Sequence, residues 1–188
     1  MKFLAGRRRF LLAGAAAGGG LLLGYGLFKP RDFLGDAALL STTGDEIALN
    51  AWLKIASDGT VTVAVPRAEM GQGVYTALPM LVAEELDLPW NSVRVEQAPI
   101  DEVYGNVVVL ADSAPFDRHD RGFLANSVRW SLSRAGRTLG LQITGGSSSV
   151  RDAWLPMRTA GAAARDMLLR AAAARLAVPT DRLVARDG

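Results

Sequence analysis

Apolar residues along this chain follow several different spacings, and each spacing predicts a different element. From Phe10 to Phe28 the chain is uncharged throughout. Ala51-Trp52-Leu53-Lys54-Ile55 alternates, Ser57-Asp58-Gly59 supplies a tight turn, and Thr60-Val61-Thr62-Val63-Ala64-Val65 continues beyond it, which predicts a β-hairpin ended by Pro66. From Val74 to Leu86 the spacing lengthens, and Leu78, Leu81, Val82 and Leu86 fall on one helical face. Val93-Arg94-Val95-Glu96-Gln97 alternates again, as a half-buried strand does. Ala98 to Arg121 reads as irregular, Phe123 to Leu139 as a helix and Gly140 to Thr144 as a short strand. A helical region then runs from about Val150 with an interruption at Pro156. The alanine-rich stretch Arg158 to Leu176 is strongly helical, Pro179 closes it, and Leu183-Val184-Ala185 reads as a further strand.

The order of these elements predicts an α+β fold. A glycine loop, a helix, a proline turn and a short strand occur twice, over Gly71 to Glu96 and over Gly145 to Ala185, as pseudo-repeated units. The expected organisation is a signal or anchor helix over residues 1–30, a polar linker over 31–48 and the folded domain over 49–188.

Composition removes several classes of function. The 188 residues suffice for one domain with a core, and 49% hydrophobic against 21% charged is a globular balance. The net charge is +2, and no basic run is interleaved with aromatics, so nucleic acid is not an expected partner. There is no cysteine, which excludes disulfides, thiolate zinc sites and an iron–sulfur cluster ligated by this chain in the usual way. The single histidine, His119, lies in a polar run and reads as a surface residue; it cannot build a metal site by itself.

The first residues carry a targeting pattern. Arg7, Arg8 and Arg9 precede the 19-residue uncharged run, which at 1.5 Å per residue spans about 28 Å. Arg7-Arg8-Arg9-Phe10-Leu11 resembles the twin-arginine export motif, with the preferred lysine after Leu11 missing. The alternative is a single-pass anchor oriented by its arginines. Six glycines make the run a mediocre helix, and no clean cleavage site follows Phe28.

Two loops carry the candidate chemistry. Gly71-Gln72-Gly73 lies between a predicted strand and a predicted helix, where backbone N–H groups without Cβ atoms can approach an anion. Gly145-Gly146-Ser147-Ser148-Ser149 occupies the same kind of junction later on. Two such loops point to a ligand with phosphate groups at more than one point of contact. Read plainly, the first is a tight turn and the second a polar loop with a serine at a helix start.

The run Trp52-Leu53-Lys54-Ile55, Asp58-Gly59-Thr60-Val61-Thr62-Val63, Glu69-Met70-Gly71-Gln72-Gly73-Val74-Tyr75-Thr76-Ala77-Leu78 and Ala83-Glu84-Glu85-Leu86 resembles the molybdopterin-binding large subunit of the xanthine dehydrogenase and aldehyde oxidase superfamily. Within it, the similarity is to the branch of the isoquinoline 1-oxidoreductase beta subunit and membrane-associated aldehyde dehydrogenases. Leu141-Gln142-Ile143-Thr144-Gly145-Gly146-Ser147-Ser148-Ser149-Val150-Arg151-Asp152-Ala153-Trp154 resembles the same branch. The resemblance implies molybdopterin with molybdenum, in the cytosine dinucleotide form. It implies hydroxylation of an N-heterocycle or aldehyde with water as oxygen source. It also implies an iron–sulfur small subunit as partner, a cytochrome c as possible electron acceptor, and a periplasmic location after twin-arginine export.

On this resemblance, Gly71, Gln72 and Gly73 would border the pterin and phosphate, with the Gln72 amide suited to a pterin edge. Gly145, Gly146, Ser147, Ser148 and Ser149 would wrap another part of the cofactor. The family's general base, a glutamate in a C-terminal Gly-Glu motif, has no counterpart here. The expectation is therefore an N-terminal portion of a large subunit, inactive without the remaining C-terminal part. A membrane-anchored interaction module without cofactor, or a non-functional gene fragment, are the alternatives.

Overall fold

The computed structural model describes residues 31–186 and, ahead of them, Gly14 alone. The chain divides into two units, Met1–Arg31 and Asp32–Gly188. The arginine motif and all of the apolar run but Gly14 lie outside the described residues. Among those described, no helix is long and apolar enough to cross a membrane.

The second unit is built on a sheet of four strands in the order β1 (Glu46–Asn50), β2 (Leu53–Ala56), β3 (Val61–Val65) and β4 (Val93–Gln97). The first three form an antiparallel meander, with Leu53 opposite Val63. β4 lies parallel to β3, with Val61 opposite Val93, because helix α1 (Val74–Leu86) carries the chain back across the sheet between them. Three helices follow: α2 (Val107–Asp112), α3 (Phe123–Leu139) and the long α4 (Ser149–Leu176).

The helical spacing predicted for α1 is the face that packs. Leu78, Val82 and Leu86 are buried with Trp52, Val63 and Val65 of the sheet and with Met157, Ala160 and Ala164 of α4. Burying each such large apolar side chain contributes about 1.5–3 kcal/mol. At Gly161 the two helices come close enough that an added Cβ would sit 2.8 Å from Glu85 Cβ and 3.1 Å from the Val82 carbonyl oxygen.

Of residues 31–48, expected as a linker, all but Arg31 are built into this unit. The Trp52 indole N–H donates to the Phe33 carbonyl at 2.6 Å, Ala51 N–H to the Leu34 carbonyl at 2.9 Å, and Leu40 is buried. Buried Lys54 donates to the Ser41 carbonyl and pairs with Glu46 on β1 and Glu96 on β4. The strand Glu46–Asn50 was hidden because it follows a run rich in Gly, Thr and Asp and sets its one exposed position at apolar Ile47, against the usual alternation.

Three further expectations are corrected. Ala98 to Arg121 is not simply irregular: Tyr104 and Asn106 are fully buried, and Val107–Asp112 is helical. Three successive valines are poor helix starters; here the start is fixed from outside, by acceptors on Asn106 and Asp152. Gly140 to Thr144 makes no strand ladder. Instead, the Leu141 carbonyl accepts from Asn106 N–H at 2.7 Å and the Ile143 carbonyl from the Asn106 amide at 2.8 Å. Pro156 does not interrupt α4, which runs through it with the proline buried.

The second unit's repeat is clearest where the helices end. Asp87 and Ala177 both take left-handed backbone, with φ of 57° and 54°. Leu88 N–H donates to the Ala83 carbonyl at 3.0 Å, and Val178 N–H to the Ala173 carbonyl at 3.1 Å. Each exit continues through a proline and a short 3-10 turn, Trp90–Ser92 and Thr180–Arg182. After the first the chain enters β4; after the second, Leu183 to Arg186 forms no ladder among the described residues.

Candidate functional site

The first loop leaves β3 at its C-terminal end, where a parallel strand pair offers a crevice to ligands. Its shape is set by Glu69. One carboxylate oxygen accepts the N–H groups of Gly71 and Gly73 at 2.8 and 3.0 Å, and the other accepts Tyr75 N–H at 2.9 Å. These donors, Tyr75 first and Gly73 next, hold the Glu69 carboxyl below the ordinary glutamate value. Gln72 also folds inward. Its amide donates to the Ala68 carbonyl at 2.8 Å and accepts from Met70 N–H at 2.5 Å. Gly71 and Gly73 have φ of 91° and 77°, the left-handed backbone that an L side chain strains to adopt. Gly71, Gln72 and Gly73 are all exposed. The loop thus resembles an anion nest already holding an anion, its own glutamate.

The bonds made by Glu69 depend on its charge. Its folded pKa is depressed, so its contribution is present above the unfolded value of about 4.5 and is lost as pH falls through the folded value. Glu69→Gln is expected to remove part of this order at neutral pH, since an amide nitrogen then faces one of the N–H donors. Amide exchange at Gly71, Gly73 and Tyr75 is the measurement. Unchanged protection at all three in the variant would show that Glu69 does not shape the loop.

The second loop precedes α4. Gly146 and Ser147 both take left-handed backbone, with φ of 60° and 53°. Buried Ser148 donates its hydroxyl to the Gly145 carbonyl at 2.6 Å and accepts from the Asn106 amide at 2.6 Å, so it does not cap the first turn of α4. Ser147 and Gly146 are exposed, and Gly145 and Ser149 are half-buried. A Cβ built on Gly145 meets nothing within 4 Å, and the same holds for Gly71 and Gly73. These three glycines face open space.

The structure brings the two loops side by side. Ala68 N–H donates to the Thr144 hydroxyl at 2.8 Å. Beneath this bond, Arg67 and Asp152 form an ion pair at 2.8 Å, each side chain 1% exposed. Arg67 also donates to the Pro66 and Tyr104 carbonyls, at 2.7 and 2.9 Å. The second Asp152 oxygen accepts Val107 N–H at 3.0 Å and Val108 N–H at 3.3 Å, and Asn106 accepts Val109 N–H at 3.2 Å. These acceptors start α2 despite its valines. Sequence reasoning gave no role to Arg67, Asn106 or Asp152; Arg67 and Asp152 each lie within a few residues of a glycine loop, which was the available signal, while Asn106 lies near neither in sequence. No group of three or more histidine, cysteine or acidic residues able to hold a metal ion occurs among the described residues.

With this geometry in place, the comparisons with known proteins are specific. Residues 23–108 match the molybdopterin cofactor-binding domain family. The chain is 35% identical over 155 residues, 82% of its length, to the isoquinoline 1-oxidoreductase subunit beta of Brevundimonas diminuta, and covers 16% of that protein. It is 29% identical over 186 residues, 94% of its length, to the membrane-bound aldehyde dehydrogenase [pyrroloquinoline-quinone] of Gluconacetobacter polyoxogenes, and covers 18% of that protein. The chain therefore spans less than a fifth of either relative.

Proposed function

The chain belongs to the molybdopterin-binding family of the xanthine dehydrogenase type, and on that premise we propose that its two glycine loops together form one wall of the cofactor site of a molybdenum oxidoreductase. The observation that carries this reading is the direct bond between the loops, Ala68 to Thr144, over the buried Arg67–Asp152 pair. Two loops of this kind held in register suit one extended, multiply charged ligand better than two unrelated turns. The open faces of Gly71, Gly73 and Gly145 leave room for its approach.

When bound, molybdopterin supplies the redox-active metal. This chain's residues would bind and orient the group through the exposed side of the second loop, the N–H groups of Gly145 and Gly146 and the Ser147 hydroxyl, while buried Ser148 holds the loop's shape through the Gly145 carbonyl and Asn106. Glu69 would hold the Gly71-Gln72-Gly73 turn in shape as the ligand arrives. Glu69 is a poor proton acceptor while three N–H groups hold it ionised. Turnover of an N-heterocycle or aldehyde is therefore assigned to residues beyond this chain. The cytosine dinucleotide form of the cofactor, whose two phosphates are joined as a pyrophosphate, is the form proposed by resemblance. An iron–sulfur small subunit, the rest of a large subunit and a cytochrome c acceptor are the partners proposed by resemblance. The test is molybdenum and pterin content of the purified chain. Absence of both after expression in a host that makes the cofactor would sink the reading. The same preparation, given an artificial electron acceptor, is expected to show no turnover.

The location proposed is the periplasm or the periplasmic face of the inner membrane, reached by twin-arginine export, on the strength of Arg7-Arg8-Arg9-Phe10-Leu11. Arg7→Lys with Arg8→Lys is expected to block export and leave the chain in the cytoplasm. Normal export on fractionation would count against the twin-arginine route.

A further inference from the structure

Beside the Gly-Gly-Ser loop lies a pocket of about 420 Å³. Four guanidinium groups line it, those of Arg118, Arg121, Arg129 and Arg151, with Asp112 the one carboxylate among the described lining residues. All of these positions fall outside the 23–108 segment matched by the cofactor-binding family.

The charges do not balance. Asp112 lies 2.6 Å from Arg151 and 3.4 Å from Arg118. The hydrogen bond from Arg151 holds its carboxyl below the usual aspartate value, and Arg118 and Arg129 act in the same direction. Arg129 is fixed by the Asp120 and Asp117 carbonyls, at 2.6 and 2.5 Å, but carbonyls do not cancel its charge. The carboxylates of Asp117 and Asp120 accept the N–H groups of His119 and Gly122 and keep their charge beside the pocket, so they reduce the excess of positive charge to about one, while Asp112 is the acidic residue that lines the pocket itself. Like charges gathered in one concavity raise the local potential and favour an arriving anion. Guanidinium forks match phosphate oxygens in particular, and Ser147 adds a hydroxyl at the rim.

We propose that this pocket binds a ligand bearing a pyrophosphate or phosphate group, seated between the arginines and the Gly-Gly-Ser loop. Two sources share that chemistry: a phosphate of the bound cofactor, or a free nucleotide. The assignment to the cofactor rests on the function proposed above; the anion site itself does not.

The test is calorimetric titration of the full purified chain with inorganic pyrophosphate, at low and at raised salt. Saturable binding that weakens with salt is expected. Arg118→Gln with Arg121→Gln, both exposed, should weaken it about ten- to a hundred-fold, the usual consequence of losing charge-assisted hydrogen bonds. Arg175→Gln, exposed near the far end of α4, should change nothing. If the double glutamine variant does not fold, Arg118→Lys with Arg121→Lys keeps the charge, loses the fork and should bind more weakly than wild type. Pyrophosphate that fails to bind the wild-type chain, or binds folded double variants of either kind equally well, would overturn the site. Binding to the bare chain but not to cofactor-loaded protein marks the cofactor's own phosphate as the natural occupant; binding to both marks a free nucleotide. A failed titration alongside normal molybdenum content would remove this pocket and leave the cofactor reading standing.

Discussion

Asp152→Ala is expected to destabilise the domain by about 3–5 kcal/mol, the range for stripping one partner from a buried ion pair. The loss would have two parts. Arg67, 1% exposed, would keep its charge without the carboxylate, and the Val107 and Val108 N–H groups would lose their acceptor at the start of α2. Asp152→Asn keeps an oxygen for those N–H groups while removing the charge, so it should fall between wild type and alanine. Urea unfolding of the three proteins is the measurement. A loss under about 1 kcal/mol for alanine, the level of a surface pair, would mean that this pair does not brace the loops.

In the chain joined to the remaining part of a large subunit, Gly145→Val is expected to weaken cofactor retention about ten- to a hundred-fold, the effect of displacing even one hydrogen bond to a charged group. Gly145 gives a cleaner test than its neighbours. Its added Cβ meets nothing within 4 Å, and its φ lies outside the left-handed region, so the fold should tolerate the change. Gly73→Val and Gly146→Val act in the same direction, but their φ values of 77° and 60° add backbone strain. Molybdenum and pterin stoichiometry of each folded variant decides the matter. Full occupancy in Gly145→Val would leave the second loop as a turn with no part in holding the cofactor.

The hairpin and α1 were legible because each obeys a local rule: alternation on either side of Ser57-Asp58-Gly59, and helical spacing from Leu78 to Leu86. The two glycine loops were legible for the same reason, being short and rich in small residues. Their partners were not. Thr144, Asn106 and Asp152 look ordinary in sequence, and each acquires its role from a residue far away along the chain. Residues 32–48 misled in the opposite sense, because the stretch ahead of the strand Glu46–Asn50 has little apolar pattern of its own and draws its order from Trp52 and Lys54, which donate to the Phe33 and Ser41 carbonyls. The short strand expected at Gly140 to Thr144 had a plausible pattern, but its carbonyls are taken up by Asn106 rather than by a ladder.

The bonds around Glu69 reach only two, four and six residues along the chain, whereas the second loop is held at Ile143 and Ser148 by Asn106, 37 and 42 residues away. The two loops therefore differ in portability. The first carries the instructions for its own shape, and a designer could graft it onto another protein that supplies a strand before it and a helix after. The second is shaped by residues distant in sequence and would arrive in a new host without them.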